Sequence, residues 1–231
     1  MELELKRGGR TARVETLGGE LVSYRDERGL EYIWGGDPAY WPGRNPLLFP
    51  IVGMLKEGKI RFDGREYAME RHGFARRREF TPAARGEDWV RLELRESAET
   101  LALYPYPFRL AVEQRLTDTG FSTAVTVANP GEGPLPFCLG AHTGFRCPLE
   151  AGERFEDYEL VFPERESCPT LLLRDGLLDR PAALPCLEDT DTLPLDYRWF
   201  DALDTLIFEG LRSRSVTLRS RKSGRGVRVS F

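Results

Sequence analysis

Short runs of alternating apolar and polar residues, separated by turns rich in glycine, proline and aspartate, recur along the chain. A period of two places successive side chains on opposite faces of a half-buried β-strand. The clearest runs are residues 89–94, 108–116 and 121–128, and only residues 97–104 favour a helical turn, with Ser97 as its N-cap. The pattern predicts an all-β sandwich that forms a single domain over residues 1–231.

Local turn chemistry refines this prediction at two places. Asp63-Gly64 separates two short runs and predicts a β-hairpin, because a type I′ turn needs positive φ at both central residues. Residues 163–200, by contrast, combine many prolines and aspartates with little alternation. They are predicted to be irregular, ordered loops.

Composition excludes several classes of function. Hydrophobic residues make up 41% of the 231 residues and charged residues 30%, which suits a globular protein with a substantial core. The net charge is −4 and no long basic run occurs, so neither nucleic acid nor an anionic membrane is an expected partner. No apolar run approaches the ~20 residues that a membrane-spanning helix requires.

The cysteines argue against a metal site and for a reducing compartment. They show no CxxC spacing and no pairing with a nearby histidine; they are Cys138, Cys147, Cys168 and Cys186. No glycine-rich phosphate loop is present, so no cofactor is expected. The alternating, charged N-terminus is unlike a signal peptide, and a cytoplasmic protein with reduced thiols is predicted.

The chain contains two histidines, and both occur in similar settings. His72 is followed by Gly73-Phe74, and His142 by Thr143-Gly144-Phe145. Histidine can donate or accept a proton near pH 7, a role worth roughly 10²–10⁴ in rate. The alternative is two structural histidines satisfied by their neighbours. The paired setting favours acid–base chemistry.

A loop dense in glycine, proline and aromatic residues, 35–43, leads to Arg44. The guanidinium group is a rigid fork of donors suited to hydroxyls, carboxylates or phosphates. Trp34 and Trp41 offer flat apolar faces that suit a sugar ring. With no nucleophile elbow and no metal spacing, these residues indicate proton transfer on a polyhydroxylated small molecule.

Three motifs, in this order, carry a family resemblance. They are Arg44-Asn45-Pro46-x-Leu48-Phe49-Pro50-x-Val52-Gly53, His72-Gly73-Phe74-Ala75-Arg76 and Gly140-x-His142-x-Gly144-Phe145. Together the motifs resemble those of the aldose 1-epimerases (mutarotases), specifically the LacX-like branch, and the likeness extends across nearly the whole chain. The resemblance implies a galactose mutarotase-like β-supersandwich with a sugar site on its concave face.

The resemblance also implies a mechanism and assigns residues to it. Mutarotases interconvert α and β anomers by opening the pyranose ring, with one group protonating the ring oxygen and a carboxylate deprotonating the anomeric hydroxyl. His142 would be the general acid and His72 would bind and orient the ring. Arg44 would hold sugar hydroxyls, and Asp204 would match the hydroxyl-binding aspartate of the family, with Asp201 as the alternative.

The chain departs from the family at its end. The general base of the family is a glutamate on a further C-terminal strand, and this sequence stops at Phe231, where that region should begin. No base is therefore named, and its loss would cost roughly 10²–10⁴ in rate. The sequence is expected to be either a fragment or a natural shortening. The missing strands would leave a sheet edge free to pair with another chain, so a homodimer is one predicted assembly.

Three alternatives remain open. One is a hexose-6-phosphate mutarotase, in which Arg76 and Arg44 would bind the phosphate. Another is a non-catalytic carbohydrate-binding module on the same sandwich, and the last is a structural β-domain without a ligand. The predicted partner is a monosaccharide: glucose, galactose or a phosphorylated hexose.

Overall fold

The computed structural model describes residues 1–201 and 203–231, and antiparallel β-strands dominate it. The prediction of an all-β fold is therefore confirmed. The chain divides into two units, Met1–Arg146 and Cys147–Phe231. The single domain over residues 1–231 stays a prediction.

The first unit contains four antiparallel sheets. Its strands are β1 Glu2–Arg7, β2 Arg10–Glu15, β3 Glu20–Arg25, β4 Leu47–Leu48, β5 Lys59–Phe62, β6 Arg65–Ala68, β7 Thr81–Arg85, β8 Trp89–Arg95, β9 Arg109–Leu116, β10 Phe121–Ala128 and β11 Gly140–Ala141. The sheet orders are β1-β2-β3, β10-β9-β8-β7, β5-β6 and β4-β11. The short β4-β11 pair is the one that matters for the site, because it joins segments about 90 positions apart, Gly140 pairing with Leu48.

Alternation along the strands supplies the core of this unit. On β8 the side chains of Val90, Leu92 and Leu94 are buried, while the intervening residues are only partly so. Phe49, immediately after β4, is fully buried among aromatic rings, with ring centroids 5.2 Å from Phe108 and 6.1 Å from Phe74. The segment between the arginine and the first histidine is thus anchored in the core.

Two local predictions are confirmed in this unit. Asp63 and Gly64 both have positive φ, 46° and 81°, between β5 and β6. Helix α1, Ala98–Leu103, begins after Ser97, whose hydroxyl accepts from the backbone N–H of Thr100 at 3.2 Å.

The second unit is one four-stranded antiparallel sheet with its own small core. Its strands are β12 Tyr158–Arg174, β13 Leu177–Pro194, β14 Ser215–Ser220 and β15 Gly226–Ser230, in the order β13-β12-β14-β15. Four buried side chains form the centre of the core: Phe162, Cys168, Leu187 and Leu193.

The prediction of irregular loops over residues 163–200 is wrong for most of that range, because β12 and β13 form one long hairpin. Its register shifts between Val161 and Glu166, which brackets Pro163, and again between Cys168 and Thr170, which brackets Pro169. Proline cannot donate a ladder hydrogen bond and is tolerated in strands at such irregularities. The bulges therefore admit prolines that the sequence pattern treats as strand breakers.

Candidate active site

The Arg44 and His142 segments run side by side. The backbone N–H of Gly144 donates to the carbonyl of Arg44 at 2.6 Å, and that of His142 to the carbonyl of Pro46 at 3.1 Å. The Thr143 hydroxyl adds a side-chain link by donating to Asn45 Oδ1 at 2.6 Å. Three hydrogen bonds, together with the β4-β11 pair, therefore bring the first and third motifs into contact.

The His72 segment is attached to the other end of the same strand. Phe74 donates from its backbone N–H to the carbonyl of Phe49 at 3.0 Å, and Gly73 forms an isolated bridge with Phe49. A Cβ atom built on Gly73 would lie 2.2 Å from the Phe49 oxygen, and its φ is 69°. This approach requires glycine, so the close contact between the His72 segment and Phe49 depends on Gly73 having no side chain.

Hydrogen bonds define the orientation and the tautomer of His72. Its backbone N–H donates to the carbonyl of Gly53 at 2.8 Å, and the backbone N–H of Gly53 donates back to His72 Nδ1 at 3.0 Å. Because Nδ1 is an acceptor here, the neutral ring carries its proton on Nε2. His72 itself has a φ of 68°, a left-handed conformation in which histidine is enriched among non-glycine residues.

The structure brings the two imidazoles together. The ring centroids of His72 and His142 are 6.1 Å apart, with the planes inclined at 64°. The indole of Trp41 lies against the other side of the pair, 4.8 Å from the His142 centroid at an angle of 33°. The only two histidines of the chain are thus neighbours on one surface of the first unit.

Burial and the charge of Arg76 both favour the neutral form of the two rings. Partial burial by its neighbours first, and then the positive charge of Arg76, lowers the pKa of His142 from its ordinary value. The same two causes, in the same order, lower the pKa of His72, with smaller contributions from His142 and Arg71. Both imidazoles are therefore mainly neutral at pH 7 and gain a proton readily only in more acidic solution.

The two arginines of the motifs are held differently. Arg44 donates from Nε to the carbonyl of Gly35 at 3.3 Å, so its side chain folds back on the preceding loop. Arg76 donates from Nη2 to the carbonyl of Arg71 at 2.9 Å. Its Nε is buried and has no hydrogen-bond partner among the residues that the structure describes. An unsatisfied buried donor on a cation is costly, which makes Arg76 a candidate for a ligand contact.

Asp204 and Asp201 belong to the second unit, where both are exposed. Their assignment to the sugar site stays a prediction.

The sequence did not predict two contacts in the first unit. Glu20 accepts a hydrogen bond from the backbone of Arg44, and Trp41 packs against His142. Glu20 carries no local signal, since the contact spans 24 positions.

The described part of the chain shows neither a metal-binding cluster nor a membrane-spanning helix. There, no group of three or more His, Cys, Asp or Glu residues is arranged to hold a metal ion. No helix of residues 1–201 or 203–231 has the length and apolar character needed to cross a bilayer. The cysteines are free thiols, namely Cys138, Cys147, Cys168 and Cys186.

Comparison with known sequences identifies the family. The aldose 1-epimerase family profile matches residues 1–229. The plasmid form of protein LacX from Lactococcus lactis subsp. lactis is 43% identical over 239 aligned positions, which cover 100% of this chain and 80% of LacX. The chromosomal form of LacX is also 43% identical over the same coverage.

Solved structures confirm the predicted galactose mutarotase-like fold. A galactose mutarotase related enzyme from Lactobacillus acidophilus matches with a TM-score of 0.92 at 27% identity, over 99% of this chain and 76% of that one. A galactose mutarotase-like protein from Lactobacillus casei ATCC 334 gives a TM-score of 0.87 at 29% identity, over 100% of this chain and 79% of that one. With its three motifs and this fold, the chain belongs to the aldose 1-epimerase family, in its LacX-like branch.

Proposed function

We propose that this chain interconverts the α and β anomers of an aldose by acid–base opening and closing of the sugar ring. The observation that carries the proposal is the imidazole pair, 6.1 Å apart, with the tautomer of one ring defined by a backbone N–H. Family membership supplies the substrate class. Glucose and galactose are the monosaccharides to test first, and the four free thiols support a cytoplasmic protein.

His142 is the proposed general acid. Its proton passes to the ring oxygen while the bond from that oxygen to the anomeric carbon breaks and a base takes the proton of the anomeric hydroxyl. The open aldehyde rotates and recloses, returning both protons. His142 must be protonated for opening and neutral after it, and because its pKa is lowered, only a minority of molecules carry that proton at pH 7.

The other residues have proposed binding roles. His72, with Nδ1 engaged by Gly53, presents Nε2–H to a sugar oxygen. Arg44 and Arg76 supply donors to hydroxyls, and Asp204 would accept from one. No residue of this sequence is named as the general base, which in the family is a glutamate on a further C-terminal strand.

Polarimetry on freshly dissolved α-D-glucose and α-D-galactose tests the proposal. The rate of approach to anomeric equilibrium should exceed that in buffer and should fall to the buffer rate in His142→Asn. A wild-type rate equal to buffer would refute it. Sugar binding without anomer exchange would instead select the non-catalytic carbohydrate-binding alternative.

One observation favours a phosphorylated hexose as the substrate. The buried Nε of Arg76 has no partner among the described residues, and since the carboxylates of Glu70 and Glu20 offset the charges of Arg77 and Arg71, that unpaired donor is what favours phosphate. Guanidinium groups bind phosphate through paired donors. A preference for glucose 6-phosphate over glucose that disappears in Arg76→Gln would establish it. Arg77→Gln is the matched control, because that guanidinium is already paired with Glu70.

Assembly is a separate proposal. A homodimer is one assembly to test, and light scattering coupled to gel filtration measures the mass directly, against 26.3 kDa for one chain.

A further inference from the structure

The indole of Trp41 is held by its own loop. The Trp41 backbone N–H donates to the carbonyl of Asp37 at 2.8 Å, and the Trp41 carbonyl accepts from Trp34 Nε1 at 2.8 Å. The loop backbone therefore has hydrogen bonds on both sides of the residue. The indole therefore packs against His142 from a segment whose backbone is held by hydrogen bonds.

Two glycines form a slot for the edges of the indole. A Cβ atom built on Gly43 would lie 2.7 Å from Trp41 Cζ2, and one built on Gly144 would lie 2.8 Å from Trp41 Cζ3. Cβ contacts below about 3 Å do not occur in unstrained packing, and a rigid indole cannot bend away. Any side chain at either position would push the ring from its place. Gly144 is also two residues from His142, so the slot and the imidazole share one segment.

His142 has few other supports for its ring. It follows a two-residue strand, β11, and is exposed. Among the described residues, its ring centroid lies 4.8 Å from that of Trp41 and 6.1 Å from that of His72. An exposed imidazole on a short strand would otherwise sample several rotamers, and ordering it on an aromatic face removes that freedom before the reaction.

We propose that Trp41 is a positioning residue for the His142 imidazole. The Gly43–Gly144 slot holds the indole, and the indole face packs against the histidine and does not stack on the sugar. The inference rests on the proposed function for its catalytic consequence, but its geometric content can be tested without turnover. Trp41 then determines how fast the sugar ring opens and not how tightly the sugar binds.

The first test is NMR of the imidazole protons in the full chain. The chain has two histidines, so His72→Asn assigns both signal sets. In the wild type, the indole ring current should shift the His142 signals upfield. They should return toward free histidine in Trp41→Ala and partly in Trp41→Phe. Gly144→Ala, which keeps the indole but fills its slot, should also move them.

Tyr40→Ala is the control, since it removes an exposed aromatic side chain from the same loop, one that contacts Trp34. It should leave the His142 signals in place. Unchanged His142 signals in folded Trp41→Phe and Trp41→Ala would overturn the inference.

The second test separates kcat from sugar affinity. Displacement of a catalytic group by about 1 Å can cost roughly 10²-fold, so kcat should fall toward that extent in Trp41→Ala. The sugar Kd should stay within about twofold, as for an interaction made only in the transition state. A weakened Kd with unchanged kcat would make Trp41 a sugar platform and refute the inference. A wild type without turnover would refute the proposed function alone, and the ring-current comparison would then decide this inference.

Discussion

The Glu20 carboxylate accepts a hydrogen bond from the backbone N–H of Arg44 at 2.8 Å, and the same oxygen accepts that of Asn45. Glu20 is the first residue of β3, so this contact ties the start of a core strand to the loop that carries the arginine. One side chain thus satisfies two consecutive backbone donors just before Pro46. It directs the chain into β4 and, through it, toward both histidines.

Replacing Glu20 by alanine and by glutamine should show whether its hydrogen-bond acceptor oxygen or its charge stabilises the fold. Glu20→Ala leaves two partly buried N–H groups without an acceptor, which costs about 1–3 kcal/mol of unfolding free energy. Glu20→Gln retains an acceptor oxygen and should cost clearly less. Urea denaturation of the two variants measures the difference, and sugar titration should show weaker binding in Glu20→Ala. Equal stabilities for the two variants would contradict the hydrogen-bonding role.

Arg76 should depress the pKa of both histidines, whereas Arg71 should affect one. Arg76→Gln is expected to raise the pKa of His72 and of His142, because its charge acts on both rings. Arg71→Gln should raise only that of His72. NMR titration of the imidazole signals reads both directly. High salt should also raise both values in the wild type, since it screens the guanidinium. An Arg71→Gln variant that moves His142 equally would rule out this assignment.

The sign of the pH dependence follows from these directions. Both histidines have a lowered pKa in the folded state, so the unfolded chain binds more protons below its ordinary histidine pKa of about 6.5. The contribution of the histidines to the free energy of unfolding should therefore be fully present above that pH. It should decline as the pH falls through their pKa values in the folded state. His142→Asn should make that decline shallower in a urea series between about pH 7 and pH 5.

Local chemistry explains which parts of the structure could be predicted. The Asp63-Gly64 hairpin and the Ser97 helix cap depend on residues within four positions of each other, and both were predictable. The β12–β13 hairpin was not, because several of its prolines, such as Pro163 and Pro169, lie at register shifts that exist only once the partner strand is in place. Turn propensity alone cannot distinguish a bulged strand from a loop.

The candidate site likewise has parts that could be predicted and parts that could not. The contact between His72 and His142 could be expected from the family resemblance, not from either motif alone, because a pair of short strands and the core residue Phe49 bring them together. The sequence could not predict the partners of Arg44 and of Trp41, since each contact depends on loop geometry. The residues that support a site are therefore harder to predict than those that perform its chemistry.

Replacing each histidine should change kcat and sugar affinity in a different way. His142→Asn should reduce kcat by roughly 10²–10⁴, the usual worth of a general acid, while sugar affinity is retained. His72→Asn keeps an oxygen that can accept from Gly53 and should weaken sugar binding as well as turnover. Polarimetry gives kcat and sugar titration gives Kd. Identical kinetic defects in the two variants would contradict the separate roles.

Gly73, the single glycine of the His72-Gly73-Phe74-Ala75-Arg76 motif, should resist replacement. Alanine at this position meets two penalties: a φ of 69°, and a Cβ that would lie 2.2 Å from the Phe49 oxygen. Gly64 is the matched control, because its φ is 81° but no atom lies within 4 Å of a built Cβ. Gly64→Ala should cost only the left-handed backbone strain, about 1–2 kcal/mol.

Gly73→Ala should cost more than about 3 kcal/mol, since the overlap must separate Phe49 from the His72 segment or distort β4. Urea denaturation compares the two variants. The overlap should also move the His72 imidazole signal in Gly73→Ala, because the ring is attached one residue away, whereas Gly64→Ala should leave that signal unchanged. Equal costs in both variants would mean that backbone strain alone requires glycine, and that the approach of His72 to the core does not depend on it.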